Sequence, residues 1–103
     1  MITLNEIRED LKDIRYYYLR KPMFEEALKF TGRMNEIKGK VDMYNEIMLK
    51  AQPRMYDLYY SLYIRNHTQE SLSEELGYTP EYIQKLNKRL LKYLQTALPK
   101  ESA

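Results

Sequence analysis

The chain contains no cysteine. Disulfides and thiolate-bound metals are therefore excluded, and a reducing compartment fits the composition. No run approaches the roughly 18 apolar residues that a membrane span requires. Acids stand among the first ten positions, which argues against a secretory leader. A soluble, cytoplasmic protein with no membrane partner is expected. Proline (4) and glycine (3) are scarce in 103 residues, too little punctuation for disorder or for many β-turns. Neither sign of charge dominates: 17 Lys and Arg oppose 15 Asp and Glu, so bulk charge names no partner. Histidine occurs once. With neither Cys nor a second His beside it, His67 reads as a polar turn residue. Gly32, Gly39 and Gly77 stand apart, which excludes a phosphate-cradling loop, and no Ser-His-acid set assembles. The neighbouring pairs Glu25 and Glu26, Glu74 and Glu75 diverge on a helix and cannot share a site. The expectation is a chain without enzymatic activity, cofactor or metal.

What is present is apolar material for one small core, at 44% hydrophobic and 31% charged residues. Its spacing is helical, so the fold class is all-α. Leu4, Ile7, Leu11, Ile14 and Tyr18 step by three and four, the seam of a first helix that Thr3 or Asn5 can cap. Arg20, Lys21 and Pro22 predict its end and a turn near 20–22. From Met23 the stepping resumes through Ala27, Phe30, Met34, Ile37, Val41, Tyr44, Met48 and Ala51, predicting a long second helix. Gly32 and Gly39 inside it each cost about 1 kcal/mol relative to Ala, so it needs a packing partner. The two helices can form an intramolecular hairpin or a coiled-coil-like arm joining a second copy. Met23, Met34, Met43 and Met48 are gap-filling core on this reading.

Residues 1–52 thus read as a helical arm and a candidate dimerisation element, 53–99 as a second unit, and 100–103 as a frayed tail. Pro53 kinks or breaks the second helix and opens a third, over 53–65, with Tyr56, Tyr59, Tyr60 and Tyr63 packing around its stripe. A short helix over 69–76 follows a cap at Thr68 and stops at Gly77. Thr79 and Pro80 then start a last helix to about Leu98, with Ile83, Leu86, Leu90, Leu94 and Ala97 on one face. A short helix, a three-residue turn and a longer helix propose a helix-turn-helix. Leu72, Leu76, Ile83 and Leu86 would close its core, Ser73 is small where the helices cross, Gly77 opens the turn and Tyr78 takes a semi-buried position.

The stretch YDLYYSLYIRNHTQESLSEELGYTPEYIQKLNKRLLKYL, residues 56–94, resembles the region-4 helix-turn-helix of sigma-70-type factors. With its helical arm and the Ala-Gln-Pro-Arg entry at 51–54, the whole chain is similar to phage late-operon transcription regulators of the ArpU type. Tyr78 departs from the family, where an aliphatic residue is usual, and so do Glu70, Glu74 and Glu75 on the first motif helix. The resemblance implies sequence-specific binding of double-stranded DNA, with the helix 80–94 in the major groove and Thr79, Glu81, Tyr82, Gln84, Lys85 and Lys88 nearest to it.

Charge placement agrees, because 80–94 carries Lys85, Lys88, Arg89 and Lys92 against Glu81 alone, whereas 69–76 carries three acids and no base. Gln84 suits an adenine edge, Lys85 guanine O6 and N7, and Glu81 a cytosine amino group. Thr79, Tyr82, Lys88 and Arg89 suit the backbone, and helix amino ends at Thr68 and Thr79 offer amides to phosphate. RNA polymerase and a second copy of the chain are the further partners this reading allows. The alternative is a helical adaptor that binds a transcription component without reading DNA.

Overall fold

The computed structural model describes the backbone of residues 2–27 and 32–98 and the side chains of 2–23 and 36–98. Among these, every regular element is helical.

Helix α1 runs over Leu4–Ala27. Its start is a reciprocal capping box: the Glu6 amide donates to Thr3 Oγ1 at 3.1 Å, and the Thr3 amide donates to Glu6 Oε1 at 3.3 Å. Thr3, rather than Asn5, is the cap. The turn expected near 20–22 is absent, and α1 passes through Pro22. Proline leaves one carbonyl a turn earlier without a donor. Pro22 and Met23 are exposed, so water can reach that side of the helix and take up the free acceptor. Met23 and Ala27, expected in the second helix, belong to α1, and α2 is described over Gly32–Leu49. Phe30 and the tail 100–103 lie outside the described residues, as does the side chain of Met34.

Ile7, Leu11 and Ile14 of α1 and Ile37, Val41, Tyr44 and Met48 of α2 are all buried in one cluster. The two stripes therefore meet within the chain, packed as a pair of helices. A polar seam runs beside them. Lys40 Nζ bridges Asp10 Oδ1 at 2.9 Å and Asp13 Oδ2 at 3.0 Å, and the Tyr44 hydroxyl donates to Asp10 Oδ2 at 2.6 Å. Of the methionines expected in the core, Met48 is there; Met23 and Met43 are 58% and 38% exposed. Met43 lies off the row Val41, Tyr44 and Met48, and Met23, counted with the second stripe, belongs to α1 and is out of phase with the row Leu11, Ile14 and Tyr18.

Pro53 follows a break, since α2 ends at Leu49 and α3 covers Pro53–Tyr59 with proline in its first turn. The chain then widens into a π-helical turn, Tyr60–Ile64, in which the Arg65 amide reaches back to the Tyr60 carbonyl at 2.9 Å. The region 53–65 is thus helical but of two kinds. Tyr59 and Tyr63 are buried and Tyr60 is exposed. Asn66 leaves the turn at φ 59°, a left-handed conformation that Asn tolerates better than most residues.

The last two helices, α4 at Gln69–Leu76 and α5 at Pro80–Ala97, match the expected limits closely. Gly77 between them has φ 72°, the left-handed terminus that only glycine adopts without strain. Buried residues of α1, α2, the 53–64 segment, α4 and α5 form one continuous core. Helix α5 is tied to the arm as well: the Tyr93 hydroxyl donates to the Ile47 carbonyl at 3.2 Å, and Gln95 Nε2 to that of Ile2 at 3.1 Å. No described helix is long and apolar enough to cross a membrane.

Candidate nucleic-acid interface

Ser73 organises the junction of α4 and α5. It is buried, its carbonyl accepts the amides of Gly77 and Tyr78, and its hydroxyl donates to the Tyr78 carbonyl. A small side chain with one donor is what this crossing requires. Leu72 and Ile83 are buried beside it and Leu86 is half-buried, as the spacing predicts. Leu76 is not. It is 50% exposed, and Tyr78, expected to be semi-buried, is 43% exposed. The tight turn at Gly77 lifts both onto the surface, where Tyr78 packs edge-on against Tyr82 with ring centroids 5.0 Å apart. At the far end of α5, Ala97 is exposed and Leu91 and Leu98 are buried in the core instead.

Both helix starts are capped by threonine. Thr68 Oγ1 accepts the Ser71 amide at 2.9 Å and Thr79 Oγ1 accepts the Tyr82 amide at 3.2 Å. In α5, Pro80 has no N–H and the Ile83 amide is held by the Thr79 carbonyl, so the first turn retains the Glu81 amide for an outside acceptor. In α4 the corresponding amides are those of Gln69 and Glu70. The anion-binding capacity of α5's amino end is therefore smaller than a capped helix start suggests.

All eight residues singled out from the sequence, Thr68, Thr79, Glu81, Tyr82, Gln84, Lys85, Lys88 and Arg89, are exposed. At 100° per residue, Lys85, Lys88, Arg89 and Lys92 lie within an arc of about 100°, opposite the buried row of Ile83, Leu90 and Leu94. Glu81 falls inside this arc, Tyr82 just beyond its Arg89 edge, and Gln84 just beyond its Lys88 edge. The cationic side of α5 thus points away from the core, uncovered by the arm. Thr68 stands apart, at the start of α4.

Pairing separates these cations from those of the arm. Lys12 is bound to Glu9 at 3.2 Å, Lys38 to Asp42 at 3.0 Å and Lys40 to two aspartates. Lys85, Lys88, Arg89 and Lys92 take part in no ion pair among the described residues. The acids of α4 do not neutralise them, for Glu70 and Glu74 face solvent and Glu75 approaches His67 instead, with Oε2 at 3.9 Å from Nδ1. His67 also lies 3.4 Å from Ser71 Oγ, and its amide donates to the Ser61 carbonyl at 2.9 Å, in keeping with a turn residue.

Two cations of this surface, Lys92 and Arg54, were given no contact by the sequence, although Lys92 was counted among the cations of 80–94. Lys92 continues the row Glu81, Lys85, Lys88 at helical spacing, a signal that was legible. Arg54, exposed on the first turn of α3 and in no ion pair among the described residues, lines a groove with Arg89; no spacing links 54 to 89, so only the fold brings them together. No family model, no curated protein and no solved structure matches this chain.

Proposed function

We propose that the chain is a sequence-specific DNA-binding transcription regulator of phage or prophage origin, related to the region-4 type of helix-turn-helix, which reads the major groove with residues 80–94. The observation that carries this reading is the row of four exposed, unpaired cations on the outward side of α5. Unpaired cations on a helix slim enough for a major groove can replace the counterions of phosphates, and their release drives binding. On this reading Lys85 and Gln84 meet base edges, Glu81 selects for a cytosine amino group, and Lys88, Arg89, Lys92 and Thr79 meet the backbone. Thr68 marks a second backbone contact through the free amides of α4. Four cations on one module bind weakly at physiological salt, so occupancy in a cell calls for a second copy of the chain or for RNA polymerase beside it. The chain acts without catalysis or cofactor.

Selection of bound duplexes from a random pool, followed by dimethyl sulfate probing of the winners, tests this. Protection of guanine N7 in the major groove, lost with Lys85→Ala, is the expected result. A pool that stays random through successive rounds contradicts sequence-specific reading.

A further inference from the structure

Beside the cationic row, α3, α4 and α5 enclose an open groove of about 380 Å³ that the DNA reading leaves unused. Its floor is apolar, made by Met55, Leu58, Leu72 and Leu86. Its wall is the exposed group Leu76, Tyr78 and Tyr82, large apolar surface that a monomer gains nothing by showing to water. Arg54 and Arg89 stand at its rim and form no ion pair among the described residues, and Asp57, one helical turn from Arg54, is the one acid lining it. The groove thus combines an apolar slot with a net positive border.

We infer that this groove is a docking site for an acidic amphipathic helix of a partner protein, which buries one or two bulky apolar side chains on Leu58, Leu72 and Leu86 and sets carboxylates against Arg54 and Arg89. A slot of this size suits the anchors of a helix laid into a groove. Aromatic walls such as Tyr78 and Tyr82 give contact area at little cost in side-chain freedom, as at many interaction centres. Charge selects the occupant. A basic segment would bring like charge to both arginines, whereas carboxylates form with them the ion pairs that no described residue supplies. Because Arg89 belongs to both the groove rim and the cationic row, a docked acidic helix withdraws one cation from the face of α5. The partner and a polyanion on that face therefore weaken each other's binding.

The test uses the full chain and two short, amidated, fluorescein-labelled peptides: an amphipathic helix of Leu, Phe and Glu, and its counterpart with Lys in place of every Glu. Fluorescence anisotropy is expected to show binding of the acidic peptide alone, weakened about tenfold or more by Arg54→Glu and by Leu76→Glu. Circular dichroism and thermal unfolding establish that both variants are folded, and Arg54→Gln provides a milder third. Amide shifts in a nitrogen-15 spectrum should cluster at Leu76, Tyr78, Tyr82 and Leu86. Equal binding of the two peptides, binding of neither, or shifts confined to another face overturns the proposal. So does a change of the free protein from two copies to one on Leu76→Glu, which makes a second copy the occupant. Amide shifts at these same residues on addition of single-stranded DNA, without binding of the acidic peptide, likewise give the groove to nucleic acid.

Discussion

The Tyr63 hydroxyl donates to Asn87 Oδ1 at 2.6 Å, fastening the π-helical turn to the middle of α5. The same ring lies under the guanidinium of Arg15, 4.8 Å from its carbon to the ring centroid, and Arg15 Nε donates to the Leu62 carbonyl at 2.9 Å. A chain of contacts therefore runs from α1 through the wide turn to the helix that carries the cationic row. The arm orients α5 without covering its outward side.

Removing the phenolic oxygen with Tyr63→Phe should cost about 1–2 kcal/mol, because Asn87 loses its partner in a half-buried setting. Arg15→Ala, which frees the Leu62 carbonyl and uncovers the ring, should cost a similar amount. Urea unfolding monitored by circular dichroism reads both as a lower midpoint with an unchanged slope.

At the junction, Gly77→Ala should destabilise by about 1–2 kcal/mol through backbone strain alone, since a Cβ there meets nothing within 4 Å. Ser73→Leu overfills a buried crossing and removes the donor to the Tyr78 carbonyl, with an expected loss of about 1–3 kcal/mol or more. Thermal unfolding checks the order, with Ser73→Leu the lower in Tm.

These helices were the most legible part of the sequence, because caps and stops at Thr68, Gly77, Thr79 and Pro80 act locally and three- and four-residue steps identify buried rows. The eight candidate residues were legible as surface for the same reason. What escaped notice depends on longer range. Pro22 is a helix breaker by local rule, yet α1 runs through it where solvent can take up the missing bond. The π-helical turn shares its composition with the α-helix before it, and a contact from Arg15, 47 positions away, meets its carbonyl. Leu76 looked like core because periodicity registers apolar character and not the turn that lifts it out. The groove joining Arg54 to Arg89 has no sequence signal.

Alkaline pH should weaken the fold. Burial, with the hydrogen bond to Asp10, pushes the Tyr44 phenol far above its ordinary 10.0, and burial raises Tyr59 and Tyr63 as well. Burial works against a charged Lys40, but its bonds to Asp10 and Asp13 prevail and raise it above 10.5. In each case the folded state holds its proton where the unfolded chain has released it. The stability these groups contribute is therefore complete below about pH 10 and falls as pH rises further. Stability measured by urea midpoint from neutral to strongly alkaline pH should decline beyond that point, and Tyr44→Phe should make the decline shallower.

Ile83 is fully buried where α5 meets the core. Truncation with Ile83→Ala should cost about 2–5 kcal/mol, whereas Lys92→Ala, on the opposite side, should leave stability within about 0.5 kcal/mol. A comparison of the two unfolding curves verifies that α5 has one structural side and one free side.

The central claim is that the free side of α5 binds the DNA backbone and base edges through its unpaired cations. The most direct measurement is the affinity for a mixed-sequence duplex at several salt concentrations, for the native chain and for Lys85→Ala combined with Lys88→Ala. The account predicts log-linear weakening of the native chain with salt, and for the variant both weaker binding and a slope reduced by about one for each lysine that touches a phosphate. Duplex affinity and slope that remain the same in the folded double variant would contradict it.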